Sequence, residues 1–134
     1  MSNYQAPAVP FDERVRQALR RGHTIDITTT GRRTGLPRRI EIVFHVIDGH
    51  TYITGMPRVE RRSWLANLEA DPHFTFHLKG AVRADLPARA RIITDESERR
   101  AIFGEVVKTW TKQDVERMTR FSPLIEVTFE PSAE

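Results

Sequence analysis

The chain has 134 residues, no cysteine and a formal net charge of +3. A chain of this length buries roughly 65–70% of the surface its unfolded form exposes, so one domain with its own core is expected. The missing cysteine excludes disulfides, thiolate metal sites, iron–sulfur clusters and cysteine nucleophiles, as in a reducing cytoplasm.

Met1-Ser2-Asn3-Tyr4-Gln5-Ala6-Pro7 has neither a basic n-region nor an apolar h-region, so no signal peptide is read. No apolar run approaches the roughly 20 residues that span a bilayer. A soluble, cytoplasmic chain follows, with contact at a membrane surface left open. The basic residues are lopsided: of 21, all but Lys79, Lys108 and Lys112 are arginine. Arginine is the planar, bidentate partner of phosphate and carboxylate. A GC-rich genome gives the same bias, so position has to decide its meaning.

Residues 1–10 hold two prolines, Pro7 and Pro10, and read as a loose arm ahead of the domain at 11–134. Phe11, Val15, Ala18 and Leu19 follow at helical spacing and Gly22 closes that helix. Residues 24–30 are β-branched and alternating, hence a strand. After the turn Gly31–Pro37, residues 38–47 form a second strand, Asp48-Gly49 a hairpin, and Thr51 to Thr54 the returning strand. Gly55-Met56-Pro57-Arg58 breaks the sheet. A helix over 61–70 carries Trp64, Leu65 and Leu68 and stops at Asp71-Pro72. His73 to Lys79 alternates, with Phe74, Phe76 and Leu78 on one face. Residues 82–94 are extended, with an interruption expected at Leu86-Pro87. Asp95-x-x-Glu98 is a capping box before a helix carrying Phe103, Val106, Val107 and Trp110. A short helix at 113–119 and a strand at 124–129 complete the chain. About six strands in hairpin order with three or four helices predict an α+β, mainly β fold whose antiparallel sheet curls into a barrel.

Self-sufficient catalysis finds no support. There is no Gly-x-Ser-x-Gly elbow, no dinucleotide fingerprint and no P-loop. His73 and His77 lie about 13 Å apart by strand rise, too far to share one metal, and no metal site is expected. His45 stands among apolar neighbours, as a core or cleft histidine does.

The loop arginines stand out. Arg32, Arg33, Arg38 and Arg39 flank one turn; Arg58, Arg61 and Arg62 occupy the next break, ahead of the helix bearing Trp64. The clusters lie at the ends of adjoining strands, and the second precedes a helix N-terminus with its free N–H groups. Guanidinium groups converging on one rim repel unless an anion joins them, which predicts a phosphate or polycarboxylate guest. The plainer reading is a set of solvated turn arginines, each paired to a carboxylate. Trp64 is either core or the wall of an aromatic cofactor's pocket. Arg99 and Arg100 read as an ordinary surface pair.

Three ordered blocks carry a resemblance: Thr30-Gly31-Arg32-Arg33-Thr34-Gly35-Leu36-Pro37-Arg38-Arg39, Asp48-Gly49-His50-Thr51-Tyr52-Ile53-Thr54-Gly55, and Trp64-Leu65-Ala66-Asn67-Leu68-Glu69-Ala70-Asp71-Pro72. Over residues 22 to 110 the chain resembles the deazaflavin-dependent nitroreductases, split β-barrel oxidoreductases similar to the pyridoxamine-phosphate-oxidase-like flavin proteins. The resemblance implies a six-stranded split barrel and coenzyme F420, a deazaflavin with an anionic phospholactyl-oligoglutamate tail. It implies that Arg32, Arg33, Thr34 and Arg38 serve the phosphate and tail. Thr54, Gly55, Pro57 and Arg58 would line the loop beside the ring system. Arg61, Arg62, Ser63, Trp64 and Asn67 would continue the pocket along the helix. The implied reaction is hydride transfer from reduced F420 to a small acceptor such as a quinone or nitro compound, with His45 and Thr54 as candidate proton donors.

Tyr4 and Tyr52 are the only tyrosines, so no tyrosine-lined acceptor pocket can form near the C-terminus. The alternatives are an FMN or haem split-barrel protein and a non-enzymatic lipid binder; FMN's single phosphate leaves most of the arginines without a role. Nucleic acid is disfavoured, because no aromatic side chains interleave with the arginines. A homodimer and a peripheral membrane contact are compatible with the resemblance.

Overall fold

Alternation in residues 24–30 buries Ile25, Ile27 and Thr29 on one face of strand β1 (Thr24–Thr30). β1 pairs antiparallel with β2 (Pro37–Ile47), from Thr24 opposite Val43 to Thr30 opposite Pro37. Asp48 (φ 51°) and Gly49 (φ 79°) both take the left-handed backbone of a tight hairpin turn. That turn delivers β3 (His50–Thr54), paired to β2 from Ile47 opposite His50 to Val43 opposite Thr54. With β4 (His73–Leu78), β5 (Ala84–Ile92) and β6 (Leu124–Phe129), the order β1-β2-β3-β6-β5-β4 closes into a barrel. Every neighbouring pair is antiparallel, and β1–β4 pairing makes the closure. The computed structural model describes residues 13–130. The expected arm at 1–10, and Phe11 of the first helix, lie outside the described residues.

The barrel is filled from its inward faces. Phe44, Phe76 and Phe129 stack edge-to-face, with centroids 5.1 Å apart at each step. Ile25, Ile27, Ile53, Ala88 and Ile125 are fully buried around them. The expected break in β5 does not occur. Pro87 pairs with Thr75 of β4 within a continuous strand. Its carbonyl accepts from the Glu130 N–H at 2.9 Å, and its nitrogen faces that same side, where the β6 ladder has already ended at Ala88 opposite Phe129. Its missing N–H therefore falls at the very end of that ladder, where a proline is tolerated.

Four helices surround the barrel among the described residues. α1 (Glu13–Arg21) buries Val15, Ala18 and Leu19 and ends at Gly22, whose φ of 68° suits glycine. α2 (Ser63–Ala70) buries Trp64, Ala66, Asn67 and Leu68. α3 (Glu96–Val106) starts at the expected cap, where the Asp95 carboxylate accepts from the Glu98 N–H. α4 (Val115–Phe121) is capped in the same way by Asp114. α3, α4 and the outer side of the sheet enclose a second apolar cluster of Tyr52, Ile93, Ile102, Phe103, Val106, Met118 and Leu124. Trp110, expected on α3, lies beyond its end and is half-buried against this cluster.

One register fact positions the site. Within β2 only Val43–Ile47 pair with β3, so residues 37–42 pair with β1 alone. The β1–β2 hairpin therefore projects beyond the end of β3. The β3–α2 loop and α2 lie at that same end of the barrel, because β3 runs in the direction of β1.

Candidate cofactor site

The projecting hairpin and the start of α2 enclose a cavity of about 600 Å³. Gly31, Arg32, Arg33, Thr34, Pro37, Arg38, Arg39 and Ile40 line one wall; Ser63, Trp64 and Asn67 line the other. Asn67 fixes the distance between the walls. It is 3% exposed. Its Oδ1 accepts from the Arg32 backbone N–H at 3.1 Å and from Arg32 Nη1 at 2.9 Å, and its Nδ2 donates to Thr29 Oγ1 at 3.1 Å. The turn is also pinned internally: the Gly31 N–H donates to the Leu36 carbonyl at 2.8 Å, and the Leu36 N–H donates to Thr34 Oγ1 at 3.2 Å.

The arginines of this wall differ in what they can offer a ligand. Arg32 is already engaged by Asn67. Arg39 pairs with Asp26 at 2.9 Å. The Lys79 ammonium, and after it the Arg39 guanidinium, hold the Asp26 carboxyl below the usual carboxylate range. Arg39 thus fits the plainer reading of a turn arginine. Arg33 and Arg38 are exposed and make no side-chain hydrogen bond or ion pair among the described residues. Two guanidinium groups without a counter-ion beside an α2 N-terminus that no side chain caps form an anion-attracting wall.

The second arginine cluster does not share this cavity, which corrects the expectation of one common rim. Arg58, Arg61 and Arg62 line another cavity, of about 630 Å³, with Leu65, Glu69, Arg99, Thr119, Arg120, Phe121 and Ser122. Helix geometry makes the division. Ser63 and Asn67 are four residues apart and face the first cavity, whereas Leu65 and Glu69 lie about 200° around the axis and face the second. The two spaces flank α2 on either side of its first turn. Arg61 pairs with Glu69, and Arg62 donates to the Met56 carbonyl. Burial, then the Arg58 guanidinium, lowers the Arg62 pKa. Arg58 has no side-chain partner among the described residues.

Other expected site residues fall as follows. Trp64 does both things asked of it: it is 7% exposed in the barrel core and still borders the first cavity. Thr54 is fully buried, and its hydroxyl donates to the Pro123 carbonyl, so it holds no proton free for an acceptor. Gly55 is half-buried where a Cβ would meet Pro123 and Arg62, and Pro57 is half-buried in the same loop. His45 belongs elsewhere: it packs edge-on against Trp110 at 5.0 Å in a third cavity of about 310 Å³. Burial lowers its pKa. Neither proposed proton donor therefore lines either arginine cavity. Arg99 is not the surface residue its neighbourhood suggests. It is half-buried, with Nε donating to the Thr119 carbonyl and Nη1 to the Ile93 carbonyl, both at 2.9 Å, and Nη2 to the Ser122 carbonyl. The lining contributed by Thr119–Ser122 had no signal in the sequence. Among the described residues no group of histidines and carboxylates could hold a metal, and no helix is long and apolar enough to cross a membrane.

A closed six-strand antiparallel barrel with peripheral helices and an arginine-walled cleft is a split-barrel fold. Similar structures share the fold at low identity. A conserved protein, Rv2991, from Mycobacterium tuberculosis aligns with a TM-score of 0.71 at 17% identity, over 96% of this chain and 86% of that one. A protein from Bacteroides thetaiotaomicron described as conferring 5-nitroimidazole antibiotic resistance aligns at 0.64 and 13%, over 91% and 81%. An FAD-binding protein from Mesorhizobium loti aligns at 0.59 and 13%, over 90% and 91%. No curated protein matches the chain. The chain belongs to the F420H(2)-dependent quinone reductase family, whose model matches residues 10–128. It is accordingly an F420-dependent oxidoreductase, and the expected deazaflavin cofactor holds.

Proposed function

We propose that the first cavity takes the anionic tail of F420 and that the enzyme passes a hydride from the reduced coenzyme to a small electron-poor acceptor of the quinone or nitro type. The observation that carries this reading is the pair of uncompensated guanidinium groups, Arg33 and Arg38, on a wall that Asn67 locks to α2. A polyanionic tail fits that donor set. Each charge-assisted hydrogen bond contributes about 1.5–3 kcal/mol when its partner is ionised. Thr34 and the first turn of α2 add neutral donors.

In this reading Gly55 and Pro57 of the β3–α2 loop, with Ser63 and the buried Trp64 at the start of α2, would hold the ring system. Arg58, Arg61 and Arg62, which line the second cavity, would approach it from that side of α2. The bound coenzyme supplies the hydride; the chain's own residues bind, orient and shield it. Met56 and Val59, exposed apolar residues of the β3–α2 loop, would shield it from water.

Fluorescence titration of the purified protein with F420 tests the reading. Arg33→Gln with Arg38→Gln should weaken binding by about 100-fold, as expected for two lost charge-assisted contacts. Unchanged affinity would remove the cavity from consideration.

A further inference from the structure

The second cavity holds more positive charge than its own carboxylates can use. Of its five arginines, Arg61 is neutralised by Glu69. Glu96 is drawn away to Arg100. Arg99 is a half-buried cation whose partners are backbone carbonyls, with no carboxylate among them. Arg58 has no side-chain partner among the described residues, and Arg120 has only its stacking on the Phe121 ring, 5.6 Å from the centroid. Glu60 is the one lining carboxylate left to balance Arg58, Arg62, Arg99 and Arg120.

Two buried hydroxyl groups add an independent observation. Thr119 is 5% exposed and Ser122 is 3% exposed, and both line this cavity. Neither Thr119 Oγ1 nor Ser122 Oγ has a hydrogen-bond partner. A buried hydroxyl left unpaired costs about 1–3 kcal/mol, so such groups normally wait on a ligand or an ordered water. Phe121 and Leu65 line the same cavity and add apolar surface, that of Phe121 flat.

We infer that this cavity is the acceptor's site, and that it selects a planar acceptor carrying a negatively charged substituent. Arg58 and Arg120 face the anionic group, and the Ser122 and Thr119 hydroxyls donate to the acceptor's oxygens. The inference rests on the hydride-transfer reading for its direction, since the two cavities flank the first turn of α2. It assigns roles to Arg120, Thr119 and Ser122, which the motifs do not mark.

The test uses cofactor-free full-length protein, with anthraquinone-2-sulfonate as the anionic probe and 1,4-naphthoquinone as the neutral one, both followed by calorimetry. The sulfonate should bind at least tenfold more tightly than the neutral quinone. Arg58→Gln with Arg120→Gln should erase that preference while leaving the neutral quinone unchanged. Ser122→Ala, which keeps the fold because it removes one unpaired oxygen, should weaken both quinones severalfold. Arg33→Gln with Arg38→Gln should weaken F420 binding about 100-fold and leave the sulfonate's affinity intact. Equal affinity for the two quinones, or no response to Arg58→Gln with Arg120→Gln, overturns the inference. Loss of the sulfonate in Arg33→Gln with Arg38→Gln also overturns it, because the probe would then occupy the first cavity. Failure of F420 to bind, with the sulfonate preference intact, counts instead against the cofactor reading.

Discussion

Replacing Asn67 with leucine tests how the first cavity is built. The amide makes three hydrogen bonds: from the Arg32 N–H, from Arg32 Nη1 and to Thr29 Oγ1. Arg32 is exposed and its guanidinium rehydrates when released, so that bond contributes little. The Arg32 N–H bond contributes about 1 kcal/mol. Thr29 is 1% exposed, so its hydroxyl has no water to turn to, and stranding it costs about 1–3 kcal/mol. Asn67→Leu should therefore destabilise the protein by about 2–4 kcal/mol in urea denaturation. Pairing it with Thr29→Val removes the stranded hydroxyl and should restore about 1–2 kcal/mol of that loss. F420 affinity should stay about tenfold low in both variants, because the hairpin is no longer tied to α2. A loss below about 1 kcal/mol for Asn67→Leu, or no recovery in the double variant, would refute the idea that this amide holds the two walls together.

Two further outcomes follow. Arg99→Ala should cost about 2–4 kcal/mol in urea denaturation, because the carbonyls of Ile93, Thr119 and Ser122 lose their donor, while Arg100→Ala should leave the midpoint within error. Burial lowers the His45 pKa from its ordinary 6.5, so the folded protein refuses a proton that the unfolded chain accepts. Stability supplied by neutral His45 is complete above pH 6.5 and is lost as the pH falls from there through the folded pKa. Against His45→Phe, the wild type should lose stability between pH 7.5 and 5.5; parallel profiles would contradict this.

Much of the barrel was legible from local pattern. The alternation of Thr24–Thr30 and His73–Leu78 marks strands with one buried face. Asp48-Gly49 announces its hairpin by the left-handed backbone both residues adopt. The failures are those of long-range geometry. Pro87 looked like a break because the sequence does not show which side of a strand lacks a partner; the nitrogen faces the end of the β6 ladder. The arginine clusters looked convergent because their strands adjoin, yet the 100° step between helical residues sends Ser63 and Leu65 to different cavities. His77 was placed on the polar face of β4 and is 7% exposed, bridging Thr28 Oγ1 at 2.6 Å and Asp85 Oδ1 at 2.7 Å across two neighbouring strands. Arg99, Thr119 and Ser122 carried no local signal, since their roles depend on the α4–β6 corner meeting the start of α3.

The account turns on arginines gripping an anionic tail, and comparing F420 with the same deazaflavin lacking its phosphate and glutamates measures that grip. The account predicts at least 100-fold tighter binding of the complete coenzyme, with the gap collapsing at high salt and in Arg33→Gln with Arg38→Gln. Equal affinity for the two deazaflavins in the wild-type protein would contradict it.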